Sequence, residues 1–221
     1  MQQRWADYRI FWQQFRRAYH TTGAVLPSGQ ALAAALAHFV RINGEAASAA
    51  GRRILEVGPG TGAVTGRIIR DMRPHDRLTL VERNEQFVAR IRERVTADPL
   101  YRGAVERIEV VHASVEDLPE EQRFDVIISG LPLNNFTAET VDRILAKLRR
   151  LLAPGGTLSF FEYVAIRRFK AALSRQADRE RVRQIARVLG DVLDRHEIRR
   201  DCVWANVPPA WVHHVRFDAG C

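Results

Sequence analysis

The chain has 221 residues, 34 of them Lys or Arg against 26 Asp or Glu, for a formal charge of +8. That length suits one α/β domain with a core of ordinary size. Two cysteines, Cys202 and Cys221, are too few for a disulfide framework or a metal site, and no apolar stretch approaches the ~20 residues needed to cross a bilayer.

Almost every base is Arg, with Lys only at 147 and 170. Guanidinium forks suit phosphate, so the excess reads either as a site for an anionic partner, RNA or a lipid surface, or as a compositional bias towards Arg. The N-terminus has no hydrophobic signal core, and the expectation is a cytoplasmic protein that meets a membrane, if at all, by lying on its inner face.

Residues 1–22 read as an amphipathic helix and 23–221 as one domain. Trp5, Tyr8, Trp12, Phe15 and Tyr19 are spaced three, four, three and four, so their rings fall along one side of a helix that also carries Arg4, Arg9, Arg16 and Arg17. Such a helix either lies among lipid headgroups or docks its aromatic edge on its own domain. A loop with Gly23 and Pro27 follows, and Ser28 is the expected N-cap of a helix through Val40.

Ile54, Leu55 and Val57 predict a buried strand, Gly58, Gly60 and Gly62 a tight turn, and Ala63 to Met72 a helix. This is a nucleotide-binding corner at the end of a first strand. A dinucleotide site uses a similar turn, but Glu56 would repel a pyrophosphate and suit an α-ammonium. Glu82 ends the second strand, 20 residues beyond Gly62, where a carboxylate accepts from ribose hydroxyls in either kind of site.

A helix from about Asn84 to Thr96 comes next, then a third strand, Arg107 to His112, and a turn at Ala113 to Pro119. Phe124 to Ser129 predicts a fourth strand buried on both faces. It leads into Gly130-Leu131-Pro132-Leu133, a helix over 138–152, and a Pro154-Gly155-Gly156 turn into a fifth strand, Thr157 to Tyr163. A long Arg-rich helical stretch, 167–196, precedes two strands, Glu197 to Trp204 and Trp211 to Phe217.

The run Glu56-Val57-Gly58-Pro59-Gly60-Thr61-Gly62 resembles the first motif of the class I methyltransferases that use S-adenosylmethionine. The resemblance implies an α/β, Rossmann-like fold with a seven-stranded, mostly parallel sheet and an antiparallel last strand. It implies S-adenosylmethionine as cofactor, S-adenosylhomocysteine as product, and no metal. The cofactor residues it implies are Glu56, Gly58, Gly60, Thr61, Gly62, Glu82, Arg83, Ser114, Val115, Ser129, Gly130 and Leu131. Ser114 stands where many relatives carry an acid for the adenine amino group, and Val115 would pack on the ring.

The acceptor is a separate question. Enzymes that dimethylate adenine N6 in ribosomal RNA carry Asn or Asp, an aliphatic residue, Pro and an aromatic after strand four; Gly130-Leu131-Pro132-Leu133 lacks both the polar group and the ring. The aromatic N-terminal stretch, Thr22 to Ser28, Ser129 to Leu133 and Asn206-Val207-Pro208-Pro209-Ala210-Trp211-Val212 are together similar to the bacterial phospholipid N-methyltransferases, which convert phosphatidylethanolamine to phosphatidylcholine. The resemblance implies a phospholipid substrate at an anionic membrane surface and no nucleic acid. Tyr19 and Tyr163 are the candidate catalytic residues, as rings over a growing ammonium; the alternative for each is a core ring with a bonded hydroxyl. RNA methylation and a non-catalytic cofactor- or membrane-binding module are the alternatives.

Overall fold

The computed structural model describes residues 27–42, 51–163, 176–206 and 209–217. The aromatic N-terminal stretch, with Tyr19, lies outside the described residues. In chain order the elements are α1 (Pro27–Leu36), α2 (His38–Ile42), β1 (Arg53–Val57), α3 (Ala63–Asp71), β2 (Arg77–Glu82), α4 (Glu85–Ala97), α5 (Pro99–Arg102), β3 (Ile108–His112), β4 (Phe124–Ser129), α6 (Ala138–Leu151), β5 (Leu152–Tyr163), α7 (Gln176–His196), β6 (Glu197–Val203) and β7 (Ala210–Val215).

The strands form one seven-stranded sheet in the order β3-β2-β1-β4-β5-β7-β6. All neighbours from β3 to β5 are parallel, and β7 runs antiparallel to both β5 and β6. The chain enters the sheet at β1, moves outward through β2 and β3, then returns to β4 on the other side of β1. The crevice at the carboxyl ends of β1 and β4 is therefore the topological switch point, where open α/β sheets hold ligands.

Strand alternation divides the core between the two faces. Leu55, Val57, Ile127, Leu158 and Phe160 pack with Val141, Ile144, Leu145 and Leu148 of α6 and with Ile185 and Leu189 of α7. Ile54, Leu78, Leu80, Val126, Ile128 and Phe161 pack on the opposite face with Leu36, Phe39, Ile68, Ile91 and Tyr101. Helix starts follow side-chain caps: Asn84 Oδ1 accepts from the Gln86 and Phe87 N–H groups at 2.9 and 3.3 Å, and Thr137 Oγ1 accepts from Thr140 N–H at 3.3 Å.

Three local features depart from expectation. Helix α1 begins at Pro27, ahead of Ser28, and the helical run is interrupted at Ala37, where Val40 N–H bonds to Ala37 O at 3.0 Å as a tighter i to i+3 turn. Strand β5 starts at Leu152 because the register shift opposite Phe124 and Val126 absorbs the Pro-Gly-Gly run as a bulge. The short helix α5 was not anticipated, although Asp98, accepting from Leu100 N–H at 2.9 Å, and Pro99 in the first turn supply its signal.

Two buried polar assemblies hold the sheet's margins. Asp76, fully buried, takes Arg52 N–H at 2.9 Å, Arg52 Nη2 at 2.6 Å and Arg73 N–H at 3.0 Å. Burial opposes its ionisation, but those donors prevail and hold the carboxyl below its usual range. Across β5 and β7, Ser159 Oγ lies 2.7 Å from His214 Nδ1, and His214 Nε2 lies 3.2 Å from Asp201 Oδ2. A carboxylate only accepts, so Nε2–H donates to Asp201 and Nδ1 accepts from Ser159. Burial pushes His214 down to about 4, which keeps the ring neutral at neutral pH.

Candidate active site

The glycine turn gathers three strand ends. Gly58, Gly60 and Gly62 all have positive φ, at 70°, 55° and 80°. Gly58 N–H donates to Val81 O of β2 at 2.9 Å, and Gly130 N–H donates to Val57 O at 2.8 Å. The crossing of the β1 and β4 ends is tight enough to need glycine on both sides. A Cβ on Gly58 would stand 2.8 Å from Leu131 Cδ2, and one on Gly130 would stand 2.7 Å from Gly58 O.

Glu56 points from β1 towards the face carrying α3. It is 1% exposed, and neither carboxylate oxygen has a hydrogen-bond partner. Burial pushes its carboxyl up to about 8; Thr65, close enough to favour ionisation without closing a hydrogen bond, and the nearby Glu82 charge act in opposite senses. A buried acid with both oxygens orphaned is an unmet demand for a cation or donor.

Glu82 is 2% exposed and closes the β2 end. Its Oε2 accepts from Gly60 N–H at 3.2 Å and its Oε1 from Asn84 N–H at 2.8 Å, so the carboxylate keeps lone-pair capacity for a ligand hydroxyl. Burial lifts its carboxyl against those bonds and that of Arg83 N–H. Arg83 O lies 3.1 Å from His112 Nε2, which ties the β2 and β3 ends together.

Ser114 and Val115 stand just past β3. Ser114 precedes the 3-10 turn Val115–Asp117; its N–H donates to Asp117 Oδ2 at 3.3 Å and its carbonyl accepts from Asp117 N–H at 3.0 Å. Val115 is buried beside Val57, Val81 and Leu131, so an apolar wall runs from the third strand end to the fourth. Ser129 is fully buried, its Oγ accepting from Leu131 N–H at 3.4 Å.

Thr61 lies on the outer side of the turn, where its carbonyl accepts from Arg94 Nη1 at 2.8 Å. Tyr101, 1% exposed, donates its hydroxyl to Gly62 O at 3.0 Å. These two side chains clamp the glycine turn from α4 and α5. A groove of about 660 Å³ lined by Thr61, Arg90, Arg94 and Pro99 lies behind the turn, away from the crevice between β1 and β4.

Strand β5 borders β4 on the side away from β1. Ser129 opposite Phe160 is the last β4–β5 pair, so β5 overhangs β4 by Phe161, Glu162 and Tyr163. Tyr163 is half-buried, its ring set edge-on to Phe161 with centroids 5.0 Å apart. Glu162 occupies the opposite face and is 6% exposed. Sequence reasoning passed over Glu162, although a charged residue at an inward place in Phe160-Phe161-Glu162-Tyr163 was a visible signal.

The group implied by this geometry is a nucleoside with a cationic tail, and the residues fit it. Glu56 offers an orphaned carboxylate, Glu82 offers lone-pair capacity at ribose depth, and Val115 offers an apolar wall. A pyrophosphate would instead meet two acids.

Comparison with known proteins agrees. Residues 54–156 match a family described as "Methyltransferase domain". A ubiquinone/menaquinone biosynthesis C-methyltransferase of Pseudomonas putida is 32% identical over 115 residues, covering 52% of this chain and 43% of that protein. An ornithine lipid N-methyltransferase of Singulisphaera acidiphila is 31% identical over 114 residues, covering 49% of this chain and 56% of that protein. The chain thus spans about half the length of the curated relatives it matches. Among solved structures, the magnesium protoporphyrin IX methyltransferase of Synechocystis has a TM-score of 0.63 at 14% identity, covering 93% of this chain and 91% of that one. An O-methyltransferase of Bacillus cereus in complex with S-adenosylhomocysteine has a TM-score of 0.61 at 16% identity, covering 93% and 88%. At those identities the likeness is one of fold. Residues 54–156 thus resemble a methyltransferase domain, and the seven-stranded sheet has the fold of solved methyltransferases.

Proposed function

We propose that the protein methylates the amine headgroup of phosphatidylethanolamine and its methylated intermediates, towards phosphatidylcholine, at the inner face of the cell membrane. The observation that carries this reading is the β5 overhang, which sets a buried carboxylate, Glu162, and an aromatic ring, Tyr163, on the two faces of one strand end beside the crevice. An acid and a ring suit an acceptor that is an ammonium before and after each transfer.

Glu56 would hold the α-ammonium of S-adenosylmethionine, Glu82 the ribose, Ser114 and Val115 the adenine, and the backbone of Gly58 to Gly62 the space between. When bound, that cofactor supplies an electrophilic methyl carbon. The chain's own task is to place a neutral amine beside it, since alignment of the reacting atoms lowers most of the barrier. Tyr163, and Tyr19 if the N-terminal stretch reaches the crevice, would face the growing positive charge.

The excess of Arg supports an anionic surface as partner, and the likeness to a lipid N-methyltransferase supports a lipid amine. No helix among the described residues is long and apolar enough to cross a membrane. RNA methylation is less well supported. Leu133 occupies the place of the stacking ring and is 1% exposed within the core, so it offers no platform for a flipped base.

The test is incubation with methyl-labelled cofactor and, separately, phosphatidylethanolamine vesicles, ornithine-lipid vesicles, a quinol and ribosomal RNA. Label is expected in phosphatidylethanolamine. Label in RNA or quinol alone would overturn the proposal.

A further inference from the structure

The groove behind the glycine turn is lined by charged side chains of both signs. Arg90 and Glu93 are exposed on α4, and their side chains make no ion pair or hydrogen bond with a described residue. Arg94 stands one turn beyond Arg90, so both guanidinium groups leave the same side of the helix. Asp98 Oδ2 lies 3.4 Å from Arg94 Nη2. That pair is long, and its side chains are 41% and 32% exposed, so it contributes little and yields to a better partner.

Two bases and two acids give the lining no net charge. A lone anion would meet both acids there, and a lone cation both guanidinium groups. A ligand that carries a phosphodiester and an ammonium a few atoms apart finds a counter-charge for each end: Arg90 and Arg94 for the phosphate oxygens, Glu93 and Asp98 for the ammonium. About 660 Å³ is ample for so small a molecule.

Arg94 also links the groove to the cofactor turn. Its Nη1 donates to Thr61 O at 2.8 Å, and its guanidinium carbon lies 4.9 Å from the centroid of the Tyr101 ring, whose hydroxyl donates to Gly62 O at 3.0 Å. The Nη1 bond is the shorter of the two that Arg94 makes, so an incoming phosphate draws Nη2 from Asp98 and leaves Thr61 O bonded. Occupation then pins Arg94 against the turn.

We propose that the groove is a second binding site, for a zwitterionic phosphodiester–ammonium headgroup, and that its occupation strengthens cofactor binding through Arg94. The same chemistry is offered by a phospholipid at a membrane surface and by a free glycerophosphodiester. The site lies outside the crevice and does not depend on which acceptor is methylated. Only the coupling rests on the cofactor reading.

The experiment titrates glycerophosphocholine into the native protein, Arg90→Gln and Arg94→Gln by calorimetry, with and without saturating S-adenosylhomocysteine. Thermal unfolding checks that each variant is folded. The native protein is expected to bind glycerophosphocholine at least tenfold more tightly than glycerophosphate or choline. Arg90→Gln should lose at least tenfold of that affinity and bind S-adenosylhomocysteine as the native protein does. Saturating glycerophosphocholine should tighten S-adenosylhomocysteine about fivefold, the reverse effect should be equal, and Arg94→Gln should abolish both. Co-sedimentation with phosphatidylcholine vesicles that is lost in Arg90→Gln assigns the lipid as the source; sedimentation indifferent to that change assigns the free diester. Glycerophosphocholine bound equally by the native protein and Arg90→Gln sits elsewhere and overturns the groove, as does an absence of heat. Equal affinity for glycerophosphate overturns the zwitterion, and binding without coupling overturns the link through Arg94. A native protein that takes glycerophosphocholine but no S-adenosylhomocysteine overturns the cofactor reading and leaves the groove standing.

Discussion

Replacing Glu56 by glutamine is expected to strengthen the cofactor-free protein at alkaline pH and to weaken cofactor binding. The buried carboxyl is held up to about 8 against an ordinary 4.5. A group raised in the folded state contributes its full stability below the unfolded value and loses it as pH climbs through the folded value. The native protein should therefore lose stability relative to Glu56→Gln from about pH 4.5 to 8, by a few kcal/mol at ~1.4 kcal/mol per pKa unit, and hold level above. Denaturant unfolding of both proteins at pH 5, 7 and 9 reads that difference directly. The same substitution removes the charge that would meet the α-ammonium, at a cost of ~2 kcal/mol or more, so cofactor affinity should fall at least 30-fold. A variant less stable at pH 9 than the native protein, or one that binds the cofactor undiminished, would show that Glu56 is an ordinary packed side chain.

Replacing Gly130 by alanine is expected to damage the site through the backbone. The added Cβ would stand 2.7 Å from Gly58 O and 3.4 Å from Val57 O, and neither carbonyl can rotate away as a side chain could. Overpacking of this kind costs about 1–3 kcal/mol. The displaced atoms belong to the turn that would cradle the cofactor, so affinity should fall tenfold or more. Gly155→Ala is the matched control. There φ is 74° and nothing lies within 4 Å of the new Cβ, so the penalty is the left-handed backbone alone, about 1–2 kcal/mol. Cofactor affinity should then be unchanged. Equal loss of affinity in both variants, measured by calorimetry, would mean that the crossing of the β1 and β4 ends is not part of the site.

The parts of this molecule that could be read from sequence are those whose chemistry is local. Ile54 to Gly62 announces a buried strand and a glycine turn within one short window, and Asn84 announces a helix start through its own side chain. The order of strands and helices then fixed the sheet, because parallel crossovers leave few alternatives. The Ser159–His214–Asp201 assembly was not legible because its members come from three strands, and only the β5–β7–β6 pairing brings them together. Ser114 was legible as a ligand candidate by its place after β3, but its backbone bonds to Asp117 depend on geometry that the sequence pattern does not reveal. Glu56 was placed correctly at the strand end; that both of its oxygens are orphaned is a property of the packing around Thr65 and Tyr101.

Two buried acids and a glycine collar would together receive a positively charged nucleoside. The most direct measurement is calorimetric titration of the native protein with S-adenosylmethionine at pH 7, in two buffers of different ionisation heat. With Glu56 protonated in the free protein and ionised opposite the ligand's cation, the account predicts binding with release of about one proton per cofactor. No heat with S-adenosylmethionine or S-adenosylhomocysteine, together with binding of a pyridine dinucleotide, would contradict it.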